Sequence, residues 1–134
     1  MNKKALALWF FKLVLAGLYL MMAIPKFGAN EITIHIFTTL GVEPWGRYLT
    51  GAIELSVFVL ILIPATAIYG VILSLGVLSG AILSHLTILG IVVQNEAGTV
   101  NDGGEIFTTA LIMLGLTLVN LYLNRRSIPF IGGH

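Results

Sequence analysis

The chain has 134 residues, of which 57% are hydrophobic and 10% charged, with a formal net charge of +1 and a mean hydropathy of +1.00. A soluble domain carries roughly a quarter charged residues, so this composition points to a lipid bilayer as the surrounding medium and gives no case for nucleic acid as a partner. Cysteine is missing altogether, which excludes thiol exchange, Cys-ligated clusters and disulfides.

The chain opens Met1-Asn2-Lys3-Lys4 and then runs apolar from Leu6 to Ile24. The run contains Lys12 and lacks a small-x-small cleavage pattern before Pro25-Lys26. It therefore reads as a retained first transmembrane helix and not as a removed leader. At about 1.5 Å per residue it matches a ~30 Å hydrocarbon core, and Pro25, with no N–H to give, is expected to end it. Lys12 is expected to snorkel to the headgroups.

Lys26 to Pro44 is too long for a plain turn. Ile32, Ile36, Phe37 and Leu40 recur there at helical spacing. A short amphipathic helix is expected, either lying at the interface or covering the bundle as a lid, with His35 solvated beside it. Trp45 marks the water–lipid boundary.

The stretch from Trp45 to Val93 organises the rest. A second span, Trp45–Ile63, is closed by Pro64, and a third, Tyr69–Val93, follows. Each carries one ionisable group well inside it, Glu54 and His85. Such groups are costly in lipid and need partners. Counted inward from Trp45 and from Val93, both lie roughly 12–14 Å below the same boundary. Antiparallel neighbours could present them at one level, and the expectation is a Glu54–His85 pair within direct or one-water hydrogen-bonding reach. Arg47, Thr50, Gly51 and Glu54 share one helix face, while Tyr19 sits at a depth that could reach the same cavity. Gly76, Gly80 and Ser84 form a small-residue stripe that would permit close helix contact.

Gln94 to Glu105 is a polar, Gly-rich loop, and a fourth span covers Ile106–Tyr122 before Asn124-Arg125-Arg126 and a short tail ending at His134. Tyr69 and Tyr122 read as interface anchors, and Met21 and Met22 as lipid-facing or packing residues. With an even number of spans both termini share one side, which carries Lys3, Lys4, Arg125 and Arg126 with no acid. The other side carries Glu31, Glu43, Glu96, Asp102 and Glu105 against Lys26 and Arg47. The positive-inside rule makes both termini cytoplasmic. The whole reads as a single all-α membrane domain: a four-transmembrane-helix bundle with a short amphipathic helix in the first outer loop. A homodimer through small-residue stripes is compatible with this pattern.

A buried Glu–His pair can exchange one proton at modest cost, which suits proton-coupled chemistry at a bound ring or carbonyl. It can equally serve to hold two helices in register. No metal site is expected, because one buried His and one Glu without HxxH or ExxH spacing fall short of a ligand set.

Four segments, AGLYLMMAIPKF with Gly17 and Lys26, GAIEL with Gly51 and Glu54, AILSH with Ala81 and His85, and GGE with Gly103, Gly104 and Glu105, in this order and spacing, resemble the DoxX and DoxX-like family of small four-helix membrane proteins. The resemblance covers nearly the whole chain. It implies a four-helix bundle with an outer-side connection after the first helix, and a polar group made of Lys26, Glu54, His85 and Glu105. The family takes its name from a subunit of a thiosulfate:quinone oxidoreductase, so the resemblance also implies a quinone as ligand and a membrane or peripheral redox partner subunit. The candidates for ligand binding or proton relay are Glu54, His85, Lys26, Glu105, Arg47 and Tyr19. Two functions stay open at this point: a quinone- or small-lipophile-binding redox component, or a non-catalytic anchor, assembly or scaffold partner. A solute carrier is disfavoured, since no inverted halves are visible.

Overall fold

The computed structural model describes residues 2–28 and 30–125. The expectations for Arg126 and His134 lie outside the described residues. Four helices are long and apolar enough to cross a membrane: α1 (Lys3–Phe27), α3 (Trp45–Leu62), α4 (Ala67–Ser84, continued by a π-helical turn, His85–Leu89) and α5 (Glu105–Leu123). The amphipathic helix expected in the first connection is α2 (Glu31–Thr39).

Each element begins and ends for local reasons. Asn2 caps α1 by accepting from the Ala5 N–H at 2.8 Å, which satisfies one of the first-turn donors that a helix leaves free. The helix does not stop before Pro25, as the sequence reading had it, but runs through it to Phe27. Proline removes one N–H, a modest loss where a helix is about to end. The extra turn keeps Lys26 on the helix, with its Nζ folded back on the Met22 carbonyl at 3.0 Å. Asn30 caps α2 through the Thr33 N–H at 3.0 Å.

After α3 the chain turns sharply at Pro64, and the Thr66 hydroxyl donates to the Leu60 carbonyl at 2.9 Å. A Cβ on Gly70 would stand 2.9 Å from the Ile61 backbone nitrogen, so α3 and α4 lie very close at this corner. The third span ends earlier than the expected Val93. Helical structure stops at Leu89, and Gly90 turns the chain out with φ at +79°, a conformation natural only to glycine.

The four long helices form a closed ring in which α1 touches α3 and α5, and α4 touches α3 and α5. Leu15, Tyr19, Val57, Ile61, Val71 and Met113 fill its centre. Leu6, Phe10, Met21, Ile24, Val59 and Ile112 are exposed, as befits a bundle whose outer solvent is lipid. Trp45, Tyr69 and Tyr122 are exposed as expected of interface residues. Lys12 departs from the snorkelling expectation. It is only 3% exposed, and its ammonium sits over the Trp9 ring at 4.9 Å from the centroid, where ring and cation attract.

Candidate functional site

α2 lies against α1, α3 and the π-helical turn, and so closes over one end of the ring as a lid. Beneath it is a cavity of about 690 Å³. Ile36, Phe37, Met22, Ile53, Leu78 and Met113 supply much of an apolar wall, into which Lys26, Thr33, Thr50, Glu54, His85 and Glu105 bring polar groups.

Glu54 comes from the middle of α3 and is 5% exposed. Its partner is Lys26 on α1, not His85 as expected: Lys26 Nζ stands 2.8 Å from Glu54 Oε1. This ion pair closes off Oε1, while no hydrogen bond among the described residues reaches Oε2. The close passage of α1 and α3 has a simple cause. A Cβ on Gly51 would meet the Phe27 ring at 2.9 Å and Lys26 Cβ at 3.1 Å, so glycine alone lets Lys26 come this near.

Arg47, offered by the sequence as a ligand-binding candidate, is occupied elsewhere. Its guanidinium donates to both Glu43 oxygens at 2.9 and 3.0 Å, and to the carbonyls of Lys26 and Gly28 at 2.7 and 3.0 Å. These are carbonyls at the end of α1, which have lost their helical donors. Arg47 thus holds the last turn of α1, and with it Lys26, in place.

His85 is 3% exposed and begins the π-helical turn. Its Nδ1 lies 2.9 Å from the Gly90 carbonyl, and its ring packs against Phe107 with centroids 5.5 Å apart. A carbonyl can only accept, so Nδ1 carries the hydrogen and Nε2 is the free nitrogen. Turns of this kind recur at functional sites, and periodicity gives no warning of them. Although Glu54 and His85 both line the cavity, they do so through separate partners.

Tyr19 does not line the cavity. It is fully buried, and its hydroxyl meets Ser74 Oγ at 2.5 Å, with Ser74 in turn 2.8 Å from Thr117 Oγ1. Thr117 donates onward to the Met113 carbonyl at 2.7 Å. This chain of hydroxyls ties α1, α4 and α5 together in the core, so Tyr19 is a structural residue here. The small stripe of α4 is also corrected. A Cβ on Gly76 or Gly80 would meet nothing within 4 Å, and both residues line the cavity with Ser84. Their smallness makes room instead of permitting helix contact.

Glu105, the first residue of α5, is exposed at the cavity rim. Beside it stands Asp102, which sequence reasoning counted only as a loop charge. Its carboxylate accepts from the N–H groups of Val93, Gly104 and Ile106 at 2.8, 2.9 and 3.0 Å. Partial burial pushes the Asp102 carboxyl up, but these three donors and the nearby His85 outweigh it and hold it below its ordinary value. The signal for it was an acid just before Gly103-Gly104 at the head of an apolar run. His35 lies on α2 and is tied to the loop, with Nε2 at 3.2 Å from the Gln94 carbonyl, instead of being merely solvated. Among the described residues no group of three His, Asp or Glu converges as a metal site.

Fold and site together define a four-helix membrane bundle with a lidded, mostly apolar cavity that carries a buried ion pair and a buried imidazole. Comparisons of the chain with family models, with curated proteins and with solved structures find no match.

Proposed function

We propose that this protein is an integral membrane component that binds a small lipophile with a polar ring head, of the quinone–hydroquinone class, beneath α2. The observation that carries the reading is the cavity of about 690 Å³, walled by apolar side chains with Lys26, Glu54 and His85 among them. Size, apolar walls and a few convergent polar groups are what ligand sites have in common. Intramembrane ionisable residues point the same way. The resemblance to DoxX-like proteins suggests the same ligand class.

A bound quinone would supply two-electron redox chemistry. The chain's own residues would do the rest: Lys26, Glu54 and His85 meet the head, the apolar walls and α2 keep water from it, and Glu54 and His85 Nε2 can hold a proton beside it. The source or acceptor of electrons is then a membrane or peripheral partner subunit. Lys3, Lys4, Arg125 and Arg126 against the acids of the other side support a cell-membrane location with both termini cytoplasmic and the lidded end outside.

The test is thermal unfolding of detergent-purified protein titrated with a matched alkyl quinone and hydroquinone. A ligand of the native state at a hundred times its Kd stabilises by about 2.7 kcal/mol. The expected result is a saturable rise in Tm that Gly76→Leu, which puts a side chain into the cavity, abolishes. A folded protein whose Tm responds to neither compound is instead an anchor or scaffold for another protein.

A further inference from the structure

We infer that the cavity selects a neutral head that donates hydrogen bonds, a hydroquinone or phenol on an apolar body, over the corresponding carbonyl form. This rests on the cavity being a lipophile site, and it follows from which hydrogen-bonding capacities the protein leaves unused. Glu54 spends Oε1 on the Lys26 ammonium at 2.8 Å, and no hydrogen bond among the described residues reaches its Oε2. His85 spends its Nδ1–H on the Gly90 carbonyl. Its Nε2 is therefore a bare acceptor whenever the ring is neutral. Both residues line the cavity, and both are at least nine-tenths buried. Glu105 adds a further carboxylate at the rim, while the oxygens of Asp102 are engaged by backbone N–H groups.

On the donor side the wall offers less. Lys26 commits one N–H to the Met22 carbonyl and a second to Glu54 Oε1. Thr33 gives its hydroxyl hydrogen to Asn30 Oδ1 at 3.1 Å. Among the buried groups of the wall, one ammonium N–H of Lys26 remains to meet an oxygen, the Thr50 hydroxyl and the Asn30 amide belonging to residues that are not buried. A hydroxyl on the ligand can accept that N–H and still donate to Glu54 or His85. A carbonyl can accept, but it leaves both buried acceptors facing another acceptor, which is the arrangement that discriminates most strongly in dry sites. A cationic head would satisfy the acceptors, but it would be brought up against the Lys26 ammonium, 2.8 Å from Glu54. The neutral donor is what fits.

Direct binding by calorimetry, under anaerobic conditions, tests this with three probes of one skeleton. They are a decyl-substituted hydroquinone, its quinone and its dimethyl ether. The hydroquinone is expected to bind about tenfold tighter or more than the quinone, which is ~1.4 kcal/mol, with the ether no better than the quinone. Glu54→Gln and His85→Phe, each checked for an unliganded melting transition, should shrink that preference by weakening the hydroquinone and not the quinone. Should one variant not fold, the three probes on the unsubstituted protein still decide. Quinone binding as tightly as hydroquinone, blocked by Gly76→Leu, would overturn the inference and leave the lipophile site standing. A preference that survives both variants would overturn the assignment to Glu54 and His85. Failure of all three probes to bind the folded protein would remove the site and the inference together.

Discussion

Glu54 and His85 stand out in the sequence because charge inside an apolar helix is expensive, and that cost is visible without coordinates. Their partners are not. Depth along a helix follows from counting residues, whereas the direction a side chain faces depends on how helices rotate against one another. Equal depth suggested that Glu54 and His85 would meet, but Lys26 and the Gly90 carbonyl claim them. Asp102 shows the same limit from the other side, since a loop carboxylate acquires a role only when three backbone N–H groups converge on it. Its carboxyl lies below its ordinary value in the folded protein. The stabilisation it gives is therefore complete above the unfolded-chain value near ~4 and drains away as pH falls through the lower folded value. Asp102→Asn should lower stability at pH 7 by about 1–2 kcal/mol. The gap between variant and wild type should close in acid-melting curves; a gap unchanged down to the lowest pH would mean that the charge is not what matters.

Among the elements, glycines in the same kind of helix do opposite things. Gly51 lets α1 approach α3, since a Cβ there would stand only 2.9 Å from the Phe27 ring and 3.1 Å from Lys26 Cβ, whereas Gly76 faces open cavity. Gly51→Val should therefore destabilise by about 1–3 kcal/mol through overpacking. Gly76→Ala should stabilise by roughly 0.5–1 kcal/mol, because alanine is the better helix former and meets no neighbour. Melting temperatures of the two variants compare them directly, and equal losses would contradict the packing described. α2 was legible as an amphipathic helix from the spacing of Ile32, Ile36, Phe37 and Leu40. Whether it would float at the interface or cover the bundle was settled by its contacts with α1, α3 and the π-helical turn.

For the whole molecule, the proposed topology has both ends on one side, as four spans require, and the positive-inside rule makes that side the cytoplasmic one. The natural lack of cysteine makes this easy to check. Single substitutions Asn2→Cys and Ala97→Cys place one thiol near the N-terminus and one in the exposed loop before α5. In intact cells a membrane-impermeant maleimide should label Ala97→Cys and spare Asn2→Cys until the membrane is opened. The reverse pattern would invert the topology and put the lidded end of the cavity in the cytoplasm.

By itself the sequence determined the solvent, the number of spans and the residues whose burial needs explaining, because hydropathy and helix length are local properties summed along the chain. Tertiary structure alone decided that Lys26 reaches Glu54, that Arg47 clamps the end of α1, that Tyr19 is core, and that the glycines of α4 make a cavity. Each of these depends on the azimuth of one helix about its axis relative to another. That angle is set by the collective packing of side chains from different helices, which periodicity within any one of them does not contain.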